Sequence, residues 1–240
     1  VYNMVGLYEM SLIGKIYKEY IYEGGYHHDF FEMEDGNILF LSNDYSKNTE
    51  HDLIVLMDRQ TGNILKKYEL DKILPMDQGK QQNWTEKSWF HANSIWYDKS
   101  DNSITVSGRH QDIIVNLDYD SGKINWLLGD NTTWDDNMKK YFLKGVGDIS
   151  WQYAQHSVSK IGDEIYVFDN GNNRSKLKEE YISPKKNYSR AVIYKINKNN
   201  FEVSQIYEYG KELGSSHYSS YISSFEKLND NDYLINFGGA

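Results

Sequence analysis

Short apolar runs broken by turn residues recur along the whole chain. They include Asn37-Ile-Leu-Phe-Leu, Leu53-Ile-Val-Leu-Met, Ser103-Ile-Thr-Val-Ser, Ile113-Ile-Val-Asn-Leu, Glu164-Ile-Tyr-Val-Phe, Ala191-Val-Ile-Tyr-Lys-Ile and Tyr233-Leu-Ile-Asn-Phe. Each is β-branched or aromatic and is bounded by Gly, Asn, Asp or Ser, which predicts strands. Asp35-Gly36, Thr61-Gly62-Asn63, Ser121-Gly122-Lys123 and Gly162-Asp163 supply the turns. Helical periodicity is almost absent. The polar, irregular segments 71–88, 130–150 and 174–188 predict long loops, with one short helix in 71–80. The Tyr-rich stretch Tyr17 to Tyr26 predicts outer strands.

The pattern repeats. Ile54-Val-Leu-Met-Asp-Arg-Gln-Thr-Gly-Asn-Ile-Leu matches Ile114-Val-Asn-Leu-Asp-Tyr-Asp-Ser-Gly-Lys-Ile-Asn, and the segments from Val192 and from Gly6 follow it more loosely. The first halves of the units correspond at Phe30–Leu41, Ile95–Ser107, Val158–Phe168 and Phe225–Phe237. Four strands in roughly 65 residues is a propeller blade with long loops. The predicted fold is therefore all-β, a β-propeller of about four blade-equivalents with four antiparallel strands per blade. The units are outer strands in 1–27, blades at 28–90, 91–155 and 156–222, and inner strands in 223–240. Half-blades at both ends suggest a piece of a larger propeller. The alternative is a small ring whose end halves pair with each other.

Composition narrows the chemistry. A net charge of −9 argues against a nucleic-acid surface and means that an anionic ligand must be held by a local positive site. The absence of cysteine removes disulfides, thiolate nucleophiles and Cys-ligated metals. No run is long enough to span a membrane, and the first residues do not read as a signal peptide. No P-loop is present to cradle a nucleotide's phosphates, and no cofactor is expected.

Setting the repeats in register aligns histidines at the starts of inner strands. His28, His91, His156 and Ser223 are separated by 63, 65 and 67 residues (28 to 91, 91 to 156, 156 to 223), with a two-residue ambiguity between His91 and Asn93. Asn43, Arg109 and Asn170 end the second strands at equivalent places. Antiparallel pairing brings the two sets to one mouth of the central channel. Imidazoles, a guanidinium and amides there would suit a compact anion with several oxygens.

These residues also carry a resemblance. Trp89-Phe90-His91-Ala92-Asn93-Ser94-Ile95, Ser107-Gly108-Arg109-His110-Gln111, Trp126-Leu127-Leu128-Gly129-Asp130, Gln155-His156-Ser157, Val167-Phe168-Asp169-Asn170-Gly171, Tyr188-Ser189-Arg190-Ala191-Val192 and Glu208-Tyr209-Gly210-Lys211 resemble aryl-sulfate sulfotransferases, in order over about 200 residues. The resemblance implies a six-bladed propeller after an N-terminal β domain. It implies transfer of a sulfuryl group from a phenolic sulfate ester to an acceptor phenol, with no nucleotide donor (PAPS) and no metal. His156 would be transiently sulfated, Arg109, His91, Asn93 and His28 would bind sulfuryl oxygens, and Asn170 would join the substrate-binding set. Ser223 stands where the family usually has threonine. A periplasmic or extracellular location is also implied, and a homodimer is one assembly compatible with it. The disulfide that some Gram-negative members carry is impossible here.

Blander readings remain. The histidines could be packing residues of a non-catalytic propeller binding module, or ligands of a three-histidine metal-dependent hydrolase, although an arginine beside them disfavours a metal. A sulfatase would need a formylglycine motif and a carboxylate-bound calcium, and neither is seen. Asp169-Asn170-Gly171-Asn172-Asn173-Arg174 lacks the EF-hand pattern. His51, His110 and His217 read as ordinary surface residues or as residues standing behind the site.

Overall fold

The computed structural model describes residues 4–81 and 84–240, and it is all-β with short helical turns. Strands β1 (Met4–Met10) and β2 (Ile16–Tyr26) form a two-stranded sheet. Strands β3 (Phe30–Glu32), β4 (Ile38–Ser42), β5 (Leu53–Met57) and β6 (Ile64–Glu69) follow as an antiparallel sheet in chain order. Strands β7 (Ala92–Asp98), β8 (Ser103–Gly108), β9 (Ile113–Asp118) and β10 (Ile124–Gly129) repeat that sheet. The next sheet gains a fifth member. Beside β12 (His156–Ile161), β13 (Glu164–Asp169), β14 (Arg190–Asn197) and β15 (Glu202–Tyr209), the short β11 (Lys144–Gly145) runs parallel to β15. Strands β16 (Ser224–Lys227) and β17 (Tyr233–Asn236) close the order as a separate pair. The first and last pairs belong to different sheets, so they do not complete one another.

The sheets stack face to face, which explains why the strand sequences are continuously apolar. Every residue of β4, β5 and β8 is buried, because each sheet is covered on both faces. Tyr20, Tyr22 and Tyr26 of β2 pack on Phe40 and Val55. Leu39, Leu41, Ile54 and Leu56 share a core with Ile95, Ile104, Val106 and Val115, sealed by Trp89 and Phe90. Ile114, Trp126 and Leu128 pack on Ile165, Val167 and Val192, and Tyr166 and Phe168 on Phe225. A buried cation bolts two sheets together: Lys160 Nζ lies 2.5 Å from Asp98 and 2.8 Å from Asp101.

The repeated turn has a physical basis. Asp58 Oδ1 accepts from Thr61 N at 2.7 Å, and Asp118 Oδ1 accepts from Ser121 N at 2.7 Å. Gly62 and Gly122 then take φ of +74° and +69°, which glycine adopts at little cost. The helix expected in 71–80 is not formed beyond one 3-10 turn, Leu70–Lys72. Pro75 disfavours helix in the residue before it. The following carbonyls are spent outward, Pro75 O and Gln78 O on Gln111 Nε2 and Gly79 O on Lys176 Nζ, all at 2.9 Å. The loop 130–150 contains one short helix, Asp136–Lys139, capped by Asp135.

Candidate active site

Inner strands lie beside one another at one end of the stacked sheets, and a repeated hydrogen bond sets their order. Asp29 Oδ2 accepts from Ile95 N at 2.9 Å, Ser94 Oγ from Val158 N at 2.8 Å, and Ser157 Oγ from Phe225 N at 3.2 Å. Each side chain reaches the next sheet and satisfies an inner-strand amide there. The residues just before these joints are His28, Asn93 and His156, so those three occupy equivalent places. This resolves the ambiguity left by the repeats. Asn93, not His91, is the counterpart of His28 and His156, while His91 enters from two residues upstream. β7 and β12 carry a register shift in the same stretch, between Ala92 and Ser94 and between His156 and Ser159, in keeping with that match.

The starts of these strands and the ends of their partners enclose a cavity of about 500 Å³. His28, His91, Asn93, Arg109, His156 and Ser223 all line it. So do Asp29, Ser94, Ser157, Tyr221 and Ile222, which the repeats did not single out as ligands. His28 and His91 have left-handed backbones, with φ of +57° and +56°, a conformation uncommon outside glycine that concentrates at functional sites. The amide N of Arg109 donates to His91 O at 3.2 Å, so the β7–β8 pairing carries both side chains to the same mouth.

Asn170 is placed differently from the expectation that it meets substrate. It follows β13 as Arg109 follows β8, but it is fully buried and absent from the cavity wall. Its Nδ2 donates to Ser219 O at 2.8 Å and Ile222 O at 2.9 Å, so its Oδ1 is the atom that faces His156 Nδ1, at 2.7 Å. An amide oxygen only accepts, so His156 carries its proton on Nδ1 and keeps a lone pair on Nε2. Burial, with a smaller contribution from Arg109, lowers the His156 pKa to about 4, leaving the ring neutral at pH 7. Asn43, the third member of that set, serves the backbone: its Oδ1 accepts from His51 N at 2.8 Å.

Arg109 is the cation of the cavity. Its guanidinium donates to His110 Nε2 at 2.9 Å and to Ser220 O at 3.3 Å. No carboxylate among the described residues forms an ion pair with it, so its charge is free for an anionic guest. Ser223 Oγ lies 2.8 Å from Ser219 Oγ and accepts from Gly238 N at 3.1 Å. Asn93 donates to Gln155 O at 2.8 Å, while its Oδ1 is buried without a hydrogen-bond partner.

His51 and His110 are buried behind the wall, whereas His217 is exposed. Ser88 links three rings. Its Oγ is 3.3 Å from His51 Nδ1 and 3.1 Å from His91 Nδ1, and its carbonyl is 2.6 Å from His110 Nδ1. The repeats gave no reason to select Ser88, or His27, because neither has a counterpart in the other units. Among the described residues, no group of His, Asp or Glu is arranged to hold a metal ion. No helix of the described residues is long and apolar enough to cross a membrane.

The family model described as arylsulfotransferase (ASST) matches residues 2–240. The chain belongs to the arylsulfotransferase family. Two curated relatives in this family are both named arylsulfate sulfotransferase AssT. That of Escherichia coli O6:H1 strain CFT073 is 34% identical over 173 residues, covering 64% of this chain and 28% of the relative. That of Lelliottia amnigena is 33% identical over 174 residues, covering 65% and 28%. The matched region thus spans about 28% of the length of these arylsulfotransferases. A solved structure of dihydro-heme d1 dehydrogenase NirN in complex with DHE is similar with a TM-score of 0.41 and 10% identity, over 85% of this chain and 32% of that one. A likeness that loose adds nothing to the family assignment.

Proposed function

We propose that this protein is an aryl-sulfate sulfotransferase that moves a sulfuryl group from a phenolic sulfate ester to an acceptor phenol through a sulfated His156. The observation that carries this reading is the pairing of a neutral imidazole, its Nε2 left bare by Asn170, with the unpaired guanidinium of Arg109 on one cavity. The five sheets are read as consecutive blades of a propeller, outer strands in 1–27, blades at 28–90, 91–155 and 156–222, and inner strands in 223–240. They would form part of a six-bladed ring in a longer protein.

In the first half-reaction the Nε2 lone pair attacks sulfur, the S–O(aryl) bond breaks and the phenolate leaves. His156 keeps its Nδ1 proton on Asn170, which stabilises the positive charge developing on the ring. Arg109 and Asn93 face the sulfuryl oxygens, where negative charge is held through the transition state. In the second half-reaction the acceptor oxygen attacks sulfur, its proton goes to a base, and the S–N bond breaks to restore neutral His156. The sulfuryl group carries less charge than a phosphoryl group, so fixed donors suffice and no metal or nucleotide is needed. Tyr221 and Ile222 give the cavity an apolar rim suited to an aromatic ring. A periplasmic or extracellular location and a homodimeric assembly belong to the same reading.

The test uses the intact protein with p-nitrophenyl sulfate. With donor alone, mass spectrometry should find one added sulfuryl group on the His156 peptide, and nitrophenol should be released continuously only when phenol is added. His156→Ala should abolish both. A label on His28 or His91, or turnover by the His156→Ala protein, would overturn the assignment.

A further inference from the structure

His27 is buried directly behind His28 and lies outside the cavity. Its Nε2 is 2.9 Å from Ser42 O, and its Nδ1 is 3.0 Å from His28 Nδ1. A backbone carbonyl only accepts, so His27 must carry a proton on Nε2. Burial, helped by the neighbouring His51, lowers the His27 pKa to about 3, so the ring holds one proton at neutral pH. Its Nδ1 is then a lone pair, and the short contact requires His28 to donate from its own Nδ1. The remaining nitrogen of His28, Nε2, is left bare on a ring that lines the cavity. His27, His51, His91, His156, Arg109 and Asp29 are the titratable or charged groups around His28; burial first, then the neighbouring histidines and the Arg109 guanidinium, lower its pKa to about 2, so the ring is neutral at pH 7, while Asp29 accepts from the backbone amides of Phe30 and Ile95.

We propose that His27 is a positioning residue which holds His28 as its Nδ1–H tautomer, so that His28 turns a proton-accepting nitrogen into the cavity. This deepens the sulfotransferase reading and rests on it for its catalytic meaning. A neutral His28 in this tautomer cannot donate to a sulfuryl oxygen. It is suited to the acceptor half-reaction. The phenol O–H bond breaks and its proton moves to His28 Nε2. The phenol oxygen bonds to sulfur, and the S–N bond electrons return to His156 Nε2. His28 then releases the proton to solvent or to a departing phenolate, so protons balance over the cycle. The carbonyl, His27 and His28 thus form an oriented relay in which each member fixes the next.

Nitrogen-resolved imidazole NMR of the intact protein reads the tautomer directly. His28 should show a protonated Nδ1 and a bare Nε2, and His27 the reverse. In His27→Asn the amide oxygen can take the acceptor place of Nδ1, so the His28 signature should persist and kcat with saturating phenol should fall less than about tenfold. In His27→Phe the volume is kept but the acceptor is lost. His28 should then shift toward Nε2–H, and kcat should fall by about tenfold or more with little change in the KM for phenol. Sulfation of His156 by donor alone, which needs no proton acceptor, should slow less. A wild-type His28 protonated on Nε2, or a His27→Phe protein with unchanged tautomer and kcat, would overturn the proposal. If His27→Phe does not fold, the wild-type and His27→Asn spectra still decide. If the protein transfers no sulfuryl group at all, the spectra test the tautomer independently of that failure.

Discussion

Arg109 joins two duties in one side chain. One terminal nitrogen donates to His110 Nε2 at 2.9 Å and the other to Ser220 O at 3.3 Å, so the fork is held flat against the cavity before any anion arrives. Burial lowers its pKa, but a guanidinium starts high enough to stay charged. Arg109→Lys would keep the charge, lose the fork and release His110. Transfer should fall on the order of a hundredfold, by the usual effect of removing one preorganised donor. Steady-state kinetics with a fixed donor and acceptor would check this, and a loss below about threefold would mean that charge alone suffices. His156 and Arg109 were legible from the sequence because each sits at a repeat-equivalent strand end. The counterpart of His28 and His156 was not, because His91 and Asn93 lie two residues apart and spacing alone cannot choose between them, whereas the joint from Ser94 to Val158 can. The contact that Asn170 makes with His156 was not legible, since strand-end position says nothing about which way an amide turns.

At the scale of strands, the joints from Asp29, Ser94 and Ser157 tie each inner strand to the next sheet. Val158 N has Ser94 Oγ as its partner at 2.8 Å, and burial keeps water from replacing it. Ser94→Ala should therefore cost about 1–3 kcal/mol, the penalty for an orphaned buried amide. Urea unfolding would show it as a lower midpoint at unchanged slope. A variant as stable as the parent would mean that the strands are held by packing alone. The strands themselves were readable because sheets covered on both faces need unbroken apolar runs, and the Asp-x-x-Thr/Ser-Gly turns mark where those runs end. The helix expected in 71–80 was misread because the contacts that unwind it come from Gln111 and Lys176, distant in sequence. The fifth strand β11 is two residues long and has no periodicity to detect.

For the molecule as a whole, six histidines have lowered pKa values: His27, His51 and His110, which are buried, and His28, His91 and His156, which line the cavity. His110 and His156 are held near about 4, against about 6.5 in an unfolded chain. The unfolded state thus binds more protons as pH drops. The stability these groups support is complete above about pH 6.5 and is lost as pH falls toward their folded values, at up to about 1.4 kcal/mol per pH unit for each group. The carboxyls of half-buried Asp29 and buried Asp52 and Asp112 are pushed up and act in the opposite direction, but they are fewer. Denaturant midpoints should be lower at pH 5.5 than at pH 7.5. Equal midpoints would mean that the cluster takes up protons without unfolding.

The joints have a further meaning for how this chain can change over time. His28 precedes Asp29, Asn93 precedes Ser94 and His156 precedes Ser157, so these three cavity residues each share a peptide unit with a residue that grips the next sheet. A slip of one position in any inner strand would take a cavity residue out of place and undo a grip in the same stroke. Insertions can accumulate in the loop 130–150 without touching either, but none can enter between the paired positions. Drift in the hub is therefore penalised twice, once through chemistry and once through cohesion, and the spacing there should outlast every other feature of the sequence.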